Sequence, residues 1–247
     1  MIRKELIRFF DDGFKCPVCS LSSIGLCPSC SKLVEKIYYK RQEPFPSYTV
    51  CFYNNFLKEL YSRYKFEEES YLYVVFSKLL SEMWDQSEEL QKSSWISYIP
   101  MSRRKKFLRG YNPCEDLARE LAKEKKIHLV HALEKTRNTR EQNKLNREER
   151  MKNVKGAFRV KRKGDSLLAE SFEKRWRKGK ISLNSLRKFQ GILLDDLLTT
   201  GATMGEAIHV LEEEHLKVCA LTLATTKYPK EGDHDEDSIS GTINDIQ

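Results

Sequence analysis

Two adjacent carboxylates followed by a loop rich in threonine and glycine form the most informative pattern in the sequence, GILLDDLLTTGATMGEAI from Gly191 to Ile208. Residues with the character of a buried strand precede Asp195 and Asp196, and a helical pattern follows the loop. A helix N-terminus presents backbone N–H groups and the positive end of a dipole, which together suit a phosphate group. The acid pair can accept hydrogen bonds from a diol. The pattern therefore predicts a site for a ribose 5-phosphate, which offers both groups.

The loop residues have separate roles in this prediction. Thr199, Thr200 and Thr203 can donate hydroxyl hydrogen bonds to phosphate oxygens. Gly201 lacks a Cβ, so the backbone there and at Ala202 can turn tightly and approach a ligand. The structural alternative is a helix cap after a buried strand, but a cap needs one acid and not two acids followed by TTGAT. No GK[ST] sequence follows, so the pattern is not a Walker loop.

A strongly basic segment lies between a strand ending at Pro100 and a helix beginning near Pro113. Its five cations are Arg103, Arg104, Lys105, Lys106 and Arg109. Guanidinium groups match phosphate oxygens well, and Gly110 would let the turn close. We interpret the segment as a loop that receives pyrophosphate. A solvated basic turn is the alternative.

Four cysteines near the N-terminus have metal-ligand spacing, Cys-x2-Cys-x7-Cys-x2-Cys. They are Cys16, Cys19, Cys27 and Cys30. Such knuckles can converge on one tetrahedral ion, and zinc is the favoured metal. Four thiolates leave no open coordination position, so we expect a structural site. A redox pair or an iron-sulfur centre remains as the alternative.

Apolar strand-like runs alternate with helical patterns along most of the chain, which predicts an α/β fold with an open, mostly parallel sheet and helices on both faces. The runs YTVCFYN, WISYIP, GILLDD and LKVCALTLATT are predicted strands, and a helix is expected from about Thr203 to His215. The predicted division of the chain is a zinc module at 1–46, a main domain at 47–228 with a basic insertion at 161–190, and an acidic, disordered tail at 229–247.

The net charge of the chain is +8, and the tail carries one lysine against six acidic residues, so the remainder is more basic still. A basic body favours polyanions such as phosphates and nucleic acids, although a merely soluble basic surface is the alternative. The apolar runs are shorter than the roughly 20 residues that span a bilayer, and the first residues lack the pattern of a signal peptide. We therefore expect a cytoplasmic protein without membrane insertion.

Two motifs carry a resemblance to known families. The run ILLDDLLTTGAT resembles the ribose-phosphate motif of the type I phosphoribosyltransferases. The pattern KTR-x-T-x-x-Q-x-x-L-x-x-x-x-R-x-x-N-V-x-G-A-F, with RGYN upstream and the cysteine quartet, resembles the ComF family of ComFC-type competence proteins over nearly the whole chain. By this resemblance, Asp195 and Asp196 would hold the ribose 2′- and 3′-hydroxyls, and residues 199–203 would hold the 5′-phosphate.

The resemblance further implies a phosphoribosyltransferase-like fold and a role in DNA uptake during natural transformation. Such a protein would bind 5-phosphoribosyl-1-pyrophosphate (PRPP) or a related ribose phosphate with Mg²⁺. It would handle incoming single-stranded DNA with a ComFA-type helicase and other DNA-processing competence proteins. If the domain is catalytic, Asp195, Asp196 and Arg109 would serve the displacement of pyrophosphate. A nucleotide-sensing adaptor and a nucleobase-salvage transferase both remain open.

The chain departs from the ComF pattern in three places. RGYNP replaces RGFNQ, which puts Pro113 where a polar side chain is usual, and the proline-rich turn is reduced to IPMS. The third departure is the insertion at 161–190. Its Trp176 could stack on a base or anchor an amphipathic helix.

Overall fold

The structure is a computed structural model, and it describes residues 15–66, 69–137, 139, 146–164, 166–171 and 177–227. The acidic tail at 229–247 and Trp176 lie outside these described residues. Within them, no helix is both long and apolar enough to cross a membrane.

Nine α-helices and one 3₁₀ turn, Ser70–Leu72, occur in the described part of the chain. The helices are α1 (Pro28–Ser31), α2 (Asn55–Phe66), α3 (Tyr73–Asp85), α4 (Glu88–Gln91), α5 (Arg103–Arg109), α6 (Pro113–Lys125), α7 (Arg147–Val154), α8 (Leu183–Leu186) and α9 (Ala202–Glu213). The helix predicted from about Thr203 to His215 is therefore present as α9.

Eleven strands accompany the helices within the described residues. They are β1 (Lys36–Arg41), β2 (Ser47–Phe52), β3 (Trp95–Tyr98), β4 (His128–Val130), β5 (Leu133–Lys135), β6 (Phe158–Val160), β7 (Arg162–Lys163), β8 (Ser166–Ser171), β9 (Arg177–Ser182), β10 (Gly191–Leu198) and β11 (Val218–Thr225). The four runs predicted as strands correspond to β2, β3, β10 and β11.

The main sheet is mixed, and its centre is parallel. Its strand order is β1-β2-β11-β10-β3-β4-β8-β7, with β9 paired to β8. The five strands from β2 to β4 in this order run parallel, whereas β1 and the strands beyond β4 are antiparallel. Strands β5 and β6 form a separate antiparallel pair. The predicted α/β class with a mostly parallel sheet is confirmed.

Helices cover both faces of the sheet. Strand side chains alternate between the two faces, so each buried strand presents apolar side chains to both layers of helices. On β10, Ile192 and Leu194 pack with residues of α2, α3 and α6, while Leu193 packs with α8 and α9. At the start of this strand Gly191 lies under the buried ring of Trp95, and a Cβ there would lie 2.2 Å from the ring. This close approach requires glycine.

The predicted insertion contributes strands to the main sheet. Glu170 on β8 is 2% exposed and forms an ion pair with Arg119 of α6. It also lies 3.3 Å from Nε2 of His131, whose Nδ1 is 2.9 Å from the hydroxyl of Tyr98. Burial lowers the pKa of His131. These buried polar contacts attach β8 to the edge of the sheet.

The basic segment after β3 is a helix, so our prediction of a loop there is wrong. Ser102 caps α5 by accepting a hydrogen bond from the N–H of Lys105 at 3.4 Å, and Gly110 ends it in the left-handed conformation with φ of 79°. Between these two signals the sequence consists largely of good helix formers. The high positive charge of the segment did not by itself predict a helix.

Candidate sugar-phosphate site

The acid pair, Asp195 and Asp196, lies in the carboxyl-terminal half of β10, a central strand of the parallel part of the sheet. Ligands of open α/β sheets bind at the carboxyl ends of the parallel strands. Asp195 Oδ1 accepts a hydrogen bond from the N–H of Asp196 at 2.9 Å. Both side chains are partly buried in a region that also contains the thiol of Cys114.

Helix α2 supplies the partners of one carboxylate. The Nζ atom of Lys65 lies 2.5 Å from Oδ2 of Asp196, and the hydroxyl of Tyr61 donates a hydrogen bond to the same oxygen. Residues 61 and 65 are four positions apart, which puts them on one face of a helix. The other carboxylate, Asp195, accepts a weak hydrogen bond from Sγ of Cys114 at 3.5 Å.

These surroundings separate the acidities of the two carboxyl groups. Burial, reinforced by the charge of Asp196, raises the pKa of Asp195 to about 7. Burial also acts to raise the pKa of Asp196, but the ion pair with Lys65 and the hydrogen bond from Tyr61 outweigh it and lower that pKa. The pair therefore combines one ionised carboxylate with one carboxyl group that is still partly protonated near neutral pH.

The loop between β10 and α9 turns through a left-handed glycine at the start of the helix. Gly201 occupies the N-cap position of α9 with φ of 78°, a conformation that favours glycine. The N–H of Ala202 donates to Oγ1 of Thr200 at 3.4 Å, and the N–H of Gly205 donates to the carbonyl of Gly201 at 2.7 Å. These two amides therefore tie the loop to the first turn of α9.

A cavity of about 160 Å³ joins the acid pair to this loop. Its lining includes both carboxylates, three of the threonine and glycine positions of the loop, and two cations from other elements. These residues are Asp195, Asp196, Thr199, Gly201, Thr203, Lys65 and Arg150, and Ala202 of the loop also lines the cavity. Carboxylates, hydroxyls, backbone amides and cations therefore surround one small space. This arrangement can bind a hydroxylated anion.

Asn112 and Pro113 position the neighbouring thiol. Asn112 is buried and caps α6 through Oδ1, which accepts from the N–H of Cys114 at 3.2 Å. Pro113 is the first residue of α6, where a missing N–H costs no helical hydrogen bond, and its carbonyl accepts from the hydroxyl of Tyr64 at 3.3 Å. The departure from the family pattern at Pro113 is accommodated as a helix start.

The predicted pyrophosphate residues lie apart from this cavity. Among the described residues that line it, Arg103, Arg104, Arg109 and Gly110 are absent. Arg103 and Arg104 are exposed on α5, while the guanidinium of Arg109 lies 5.0 Å from the ring centroid of Phe66. Their role as pyrophosphate ligands remains a prediction.

Three further residues near the acid pair were not assigned a role from the sequence. Lys65 and Tyr61 belong to an amphipathic helix, α2, that carries no functional signal in the sequence analysis. Lys135 is close enough to Asp195 and Lys105 to interact electrostatically with both, and burial lowers its pKa. Because these contacts join segments distant in the chain, only the fold reveals them.

The cysteine quartet is also assembled by the fold. The sulfur atoms of Cys16, Cys19, Cys27 and Cys30 lie within 4.8 Å of one another, so the four could hold a metal ion. The Sγ atoms of Cys19 and Cys27 are 3.5 Å apart. In a tetrahedral site with metal–sulfur distances of about 2.3 Å the sulfurs are separated by similar distances, and the donor set fits zinc. The predicted convergence of the four cysteines is confirmed.

The quartet is attached to the same helix that holds the acid pair. The guanidinium of Arg63 on α2 donates to the carbonyl of Pro17, which lies between Cys16 and Cys19, at 2.9 Å. Arg63 is held by Glu69 through an ion pair of 2.7 Å. Residue 63 lies on the opposite side of α2 from residues 61 and 65. The helix therefore lies between the cysteine module and the acid pair.

Two curated proteins are similar to the chain over most of its length. It is 23% identical to Competence protein F of Haemophilus influenzae over 250 residues, covering 89% of this chain and 100% of that protein. It is 28% identical to Competence protein ComFC of Streptococcus pneumoniae over 218 residues, covering 84% of this chain and 85% of that protein. The chain is thus similar to ComF and ComFC competence proteins over most of its length. No protein-family model matches the chain.

Solved phosphoribosyltransferases show a distant likeness to the chain. An orotate phosphoribosyltransferase from Aeropyrum pernix has a TM-score of 0.35 and 21% identity, with 66% of this chain and 64% of that enzyme covered. An adenine phosphoribosyltransferase from Thermoanaerobacter pseudethanolicus has a TM-score of 0.36 and 12% identity, with 80% and 98% covered. The chain thus spans just under two thirds of the orotate enzyme.

Proposed function

We propose that the chain is a ComFC-like late competence protein whose phosphoribosyltransferase-like domain binds PRPP or a related ribose phosphate. The observation that carries the proposal is the cavity in which Asp195 and Asp196 face the loop of residues 199–203. One end of that cavity offers acceptors for sugar hydroxyls, and the other offers donors for a phosphate. A ribose 5-phosphate carries both groups at a fixed separation.

The residues around the cavity have distinct functions in this proposal. Asp196, ionised by its ion pair with Lys65, accepts a hydrogen bond from one ribose hydroxyl, and Asp195 contacts the other. The amides and hydroxyls of residues 199–203 bind the 5′-phosphate. Arg150, which lines the same cavity, neutralises the phosphate.

Two metal ions belong to the proposal. The four thiolates of Cys16, Cys19, Cys27 and Cys30 hold a structural Zn²⁺, which fits their mutual distances. Carboxylate oxygens and substrate phosphates are the ligands that Mg²⁺ prefers, so Mg²⁺ bound with PRPP would neutralise the pyrophosphate charge. Arg103, Arg104 and Arg109 on α5 are the candidate cations for that pyrophosphate, with Gly110 as the end of their helix.

The names of the two relatives support a cellular role in competence. We propose that the chain assists the handling of incoming single-stranded DNA with a ComFA-type helicase and other competence proteins in the cytoplasm. The domain would be a phosphoribosyltransferase-like binding module in this role. An active nucleobase or nucleotide salvage transferase is the second candidate, favoured by the nearly complete sugar-phosphate constellation.

Calorimetric titration tests the proposal directly. Mg²⁺ and PRPP are titrated into the wild type and the double variant Asp195→Asn/Asp196→Asn, with Asp85→Asn on the surface of α3 as the control. We expect saturable heats from the wild type and control and at least tenfold weaker binding by the double variant. Equal heats from all three proteins would contradict the site. Pyrophosphate release with a panel of nucleobases would favour the salvage transferase.

A further inference from the structure

The phosphate loop separates two cavities. Besides the small cavity at the acid pair, a larger one of about 810 Å³ lies on its other side. Leu198, Thr199, Gly201 and Ala202 line both. A phosphate bound to this loop is therefore accessible from two directions. A sugar monophosphate in the small cavity would leave the larger one without a function.

The larger cavity has the side chains that a single nucleic acid strand requires. Tyr39 and Phe45 contribute aromatic rings to its lining, and Arg41 and Lys227 contribute exposed cations. Stacking surfaces combined with cations that follow a backbone are the features that bind single strands without sequence preference. The lining also contains Glu206 and Glu212, and a carboxylate oxygen of Glu206 accepts a hydrogen bond from the N–H of Gly156 at 2.5 Å.

Lys227 and Phe45 lie near the shared loop. The N–H of Thr226, the residue before Lys227, donates to the carbonyl of Leu198 at 3.4 Å. Phe45 packs against the loop, since a Cβ added at Gly201 would lie 3.6 Å from its ring. Lys227 and Phe45 therefore lie next to the position proposed for the phosphate. Such neighbours suit a phosphodiester, which continues to a further nucleotide.

The small cavity is the narrower of the two. Its volume is about 160 Å³ against about 810 Å³, so the larger cavity offers more room for the rest of a strand. A phosphate on the 3′-oxygen would meet Asp195 and the ionised Asp196 directly. Two negative charges that meet in a partly buried site repel each other strongly. The acid pair therefore selects a free 3′-hydroxyl.

We propose that the site binds the 3′-terminal nucleotide of single-stranded DNA, an inference that rests on the proposed function. The terminal 3′-hydroxyl contacts the acid pair, and the phosphodiester on its 5′ side occupies the loop of residues 199–203. The preceding nucleotides lie in the larger cavity against Tyr39 and Phe45, with Arg41 and Lys227 close to their phosphates. The same cradle thus accepts a free ribose phosphate and the end of a strand.

The test compares two oligonucleotides of one sequence, labelled at the 5′ end, that carry either a 3′-hydroxyl or a 3′-phosphate. Fluorescence anisotropy with the full chain should give at least tenfold tighter binding of the 3′-hydroxyl strand. Unlabelled ribose 5-phosphate should displace that strand. The double variant Arg41→Gln/Lys227→Gln should weaken strand binding several-fold and leave the affinity for ribose 5-phosphate unchanged. Lys123→Gln, an exposed lysine of α6, is the matched control.

The outcomes separate this inference from the proposed function. Equal affinity for the two 3′ ends, or no displacement of the strand by ribose 5-phosphate, would overturn the inference. The proposed function would still stand if the protein binds ribose 5-phosphate. If the wild type binds neither PRPP nor ribose 5-phosphate, both fail. An unchanged affinity of the Arg41→Gln/Lys227→Gln variant for the 3′-hydroxyl strand would exclude the larger cavity as the path of the strand.

Discussion

The ammonium group of Lys65 and the carboxylate of Asp196 are in direct contact, with Nζ and Oδ2 at 2.5 Å, although the residues lie on different elements 131 positions apart. This ion pair allows two adjacent carboxyl groups to remain partly buried. Because Lys65 neutralises Asp196, the proton needed to relieve the repulsion resides on Asp195. A sugar therefore meets one acceptor and one group that can also donate.

The pH dependence of stability should reveal that proton. The pKa of Asp195 in the folded chain, about 7, lies above its ordinary value of 3.8. Its contribution to stability is thus complete below pH about 4 and is lost as the pH rises through about 7, at up to about 1.4 kcal/mol per pH unit. Asp195→Asn, which stays neutral, should gain stability relative to the wild type across that range in urea unfolding. Asp85→Asn is the control, and a gain for Asp195→Asn that does not grow with pH would contradict the prediction.

Replacing Arg150 tests the phosphate wall of the small cavity. A charge-assisted hydrogen bond contributes about 1.5–3 kcal/mol, so Arg150→Met should weaken ribose 5-phosphate binding by about tenfold or more. The measurement is calorimetry at fixed ionic strength. Arg159→Met, at an arginine that is 68% exposed on β6, should bind normally. Equal affinities of the two variants would remove Arg150 from the site.

The buried contact between Glu170 and Arg119 should stabilise the edge of the sheet. Removing one partner of a buried ion pair costs about 3 kcal/mol or more, so Glu170→Leu should lower the free energy of unfolding by about that amount. The exposed pair of Glu134 with Arg159 offers the comparison, because Arg159→Met should cost less than about 1 kcal/mol. If urea unfolding shows that Glu170→Leu loses no more unfolding free energy than Arg159→Met, β8 is not held by Glu170.

Metal loss from the cysteine module should weaken the distant sugar-phosphate site. Cys27→Ser removes one of four ligands, and we expect the metal content to fall from one ion per chain toward zero. Since Arg63 of α2 bonds to Pro17 within the module, α2 should also lose its anchor, and ribose 5-phosphate affinity should drop several-fold. Cys219→Ser, at a buried cysteine of β11, should retain the metal.

A second variant separates the helix contact from the metal itself. Arg63→Lys should keep the full metal content but weaken sugar-phosphate binding, because lysine cannot bond Pro17 and Glu69 together through a planar fork. Normal binding by Arg63→Lys would show that the module and the acid pair are independent. Metal is measured by atomic absorption and binding by calorimetry.

The α/β class could be predicted because the signals of its strands and helices are local, and the site prediction rests on a local signal as well. The run around Asp195 combines a buried strand, two acids and a glycine loop within a few residues. The predicted site depends on all three features together. The helix at 103–109 was missed because its cap at Ser102 and its end at Gly110 are weak signals beside five cations. Lys65 could not be assigned, since its partner Asp196 is far away in the chain and only α2 brings them together.

The insertion illustrates a different limit of sequence interpretation. Its basic composition predicted an insertion and no contact with the rest of the domain could be assigned, whereas Glu170 within it is buried against Arg119. One buried acid in a run of cations gives little periodic signal. Its partners lie on α6 and after β4, so the contact depends on tertiary structure.

The close packing of Gly191 under Trp95 has a consequence for recognising distant homologues. Any larger residue at that position would collide with the indole ring, so the first residue of β10 is restricted in size. The number of residues from this glycine to Asp195 then determines which side of the sheet each side chain occupies, and a single deletion between them would exchange the faces on which Asp195 and Asp196 lie. Spacing between a small residue and the two acids, more than overall identity, should therefore distinguish functional members of this lineage from chains that have lost the site.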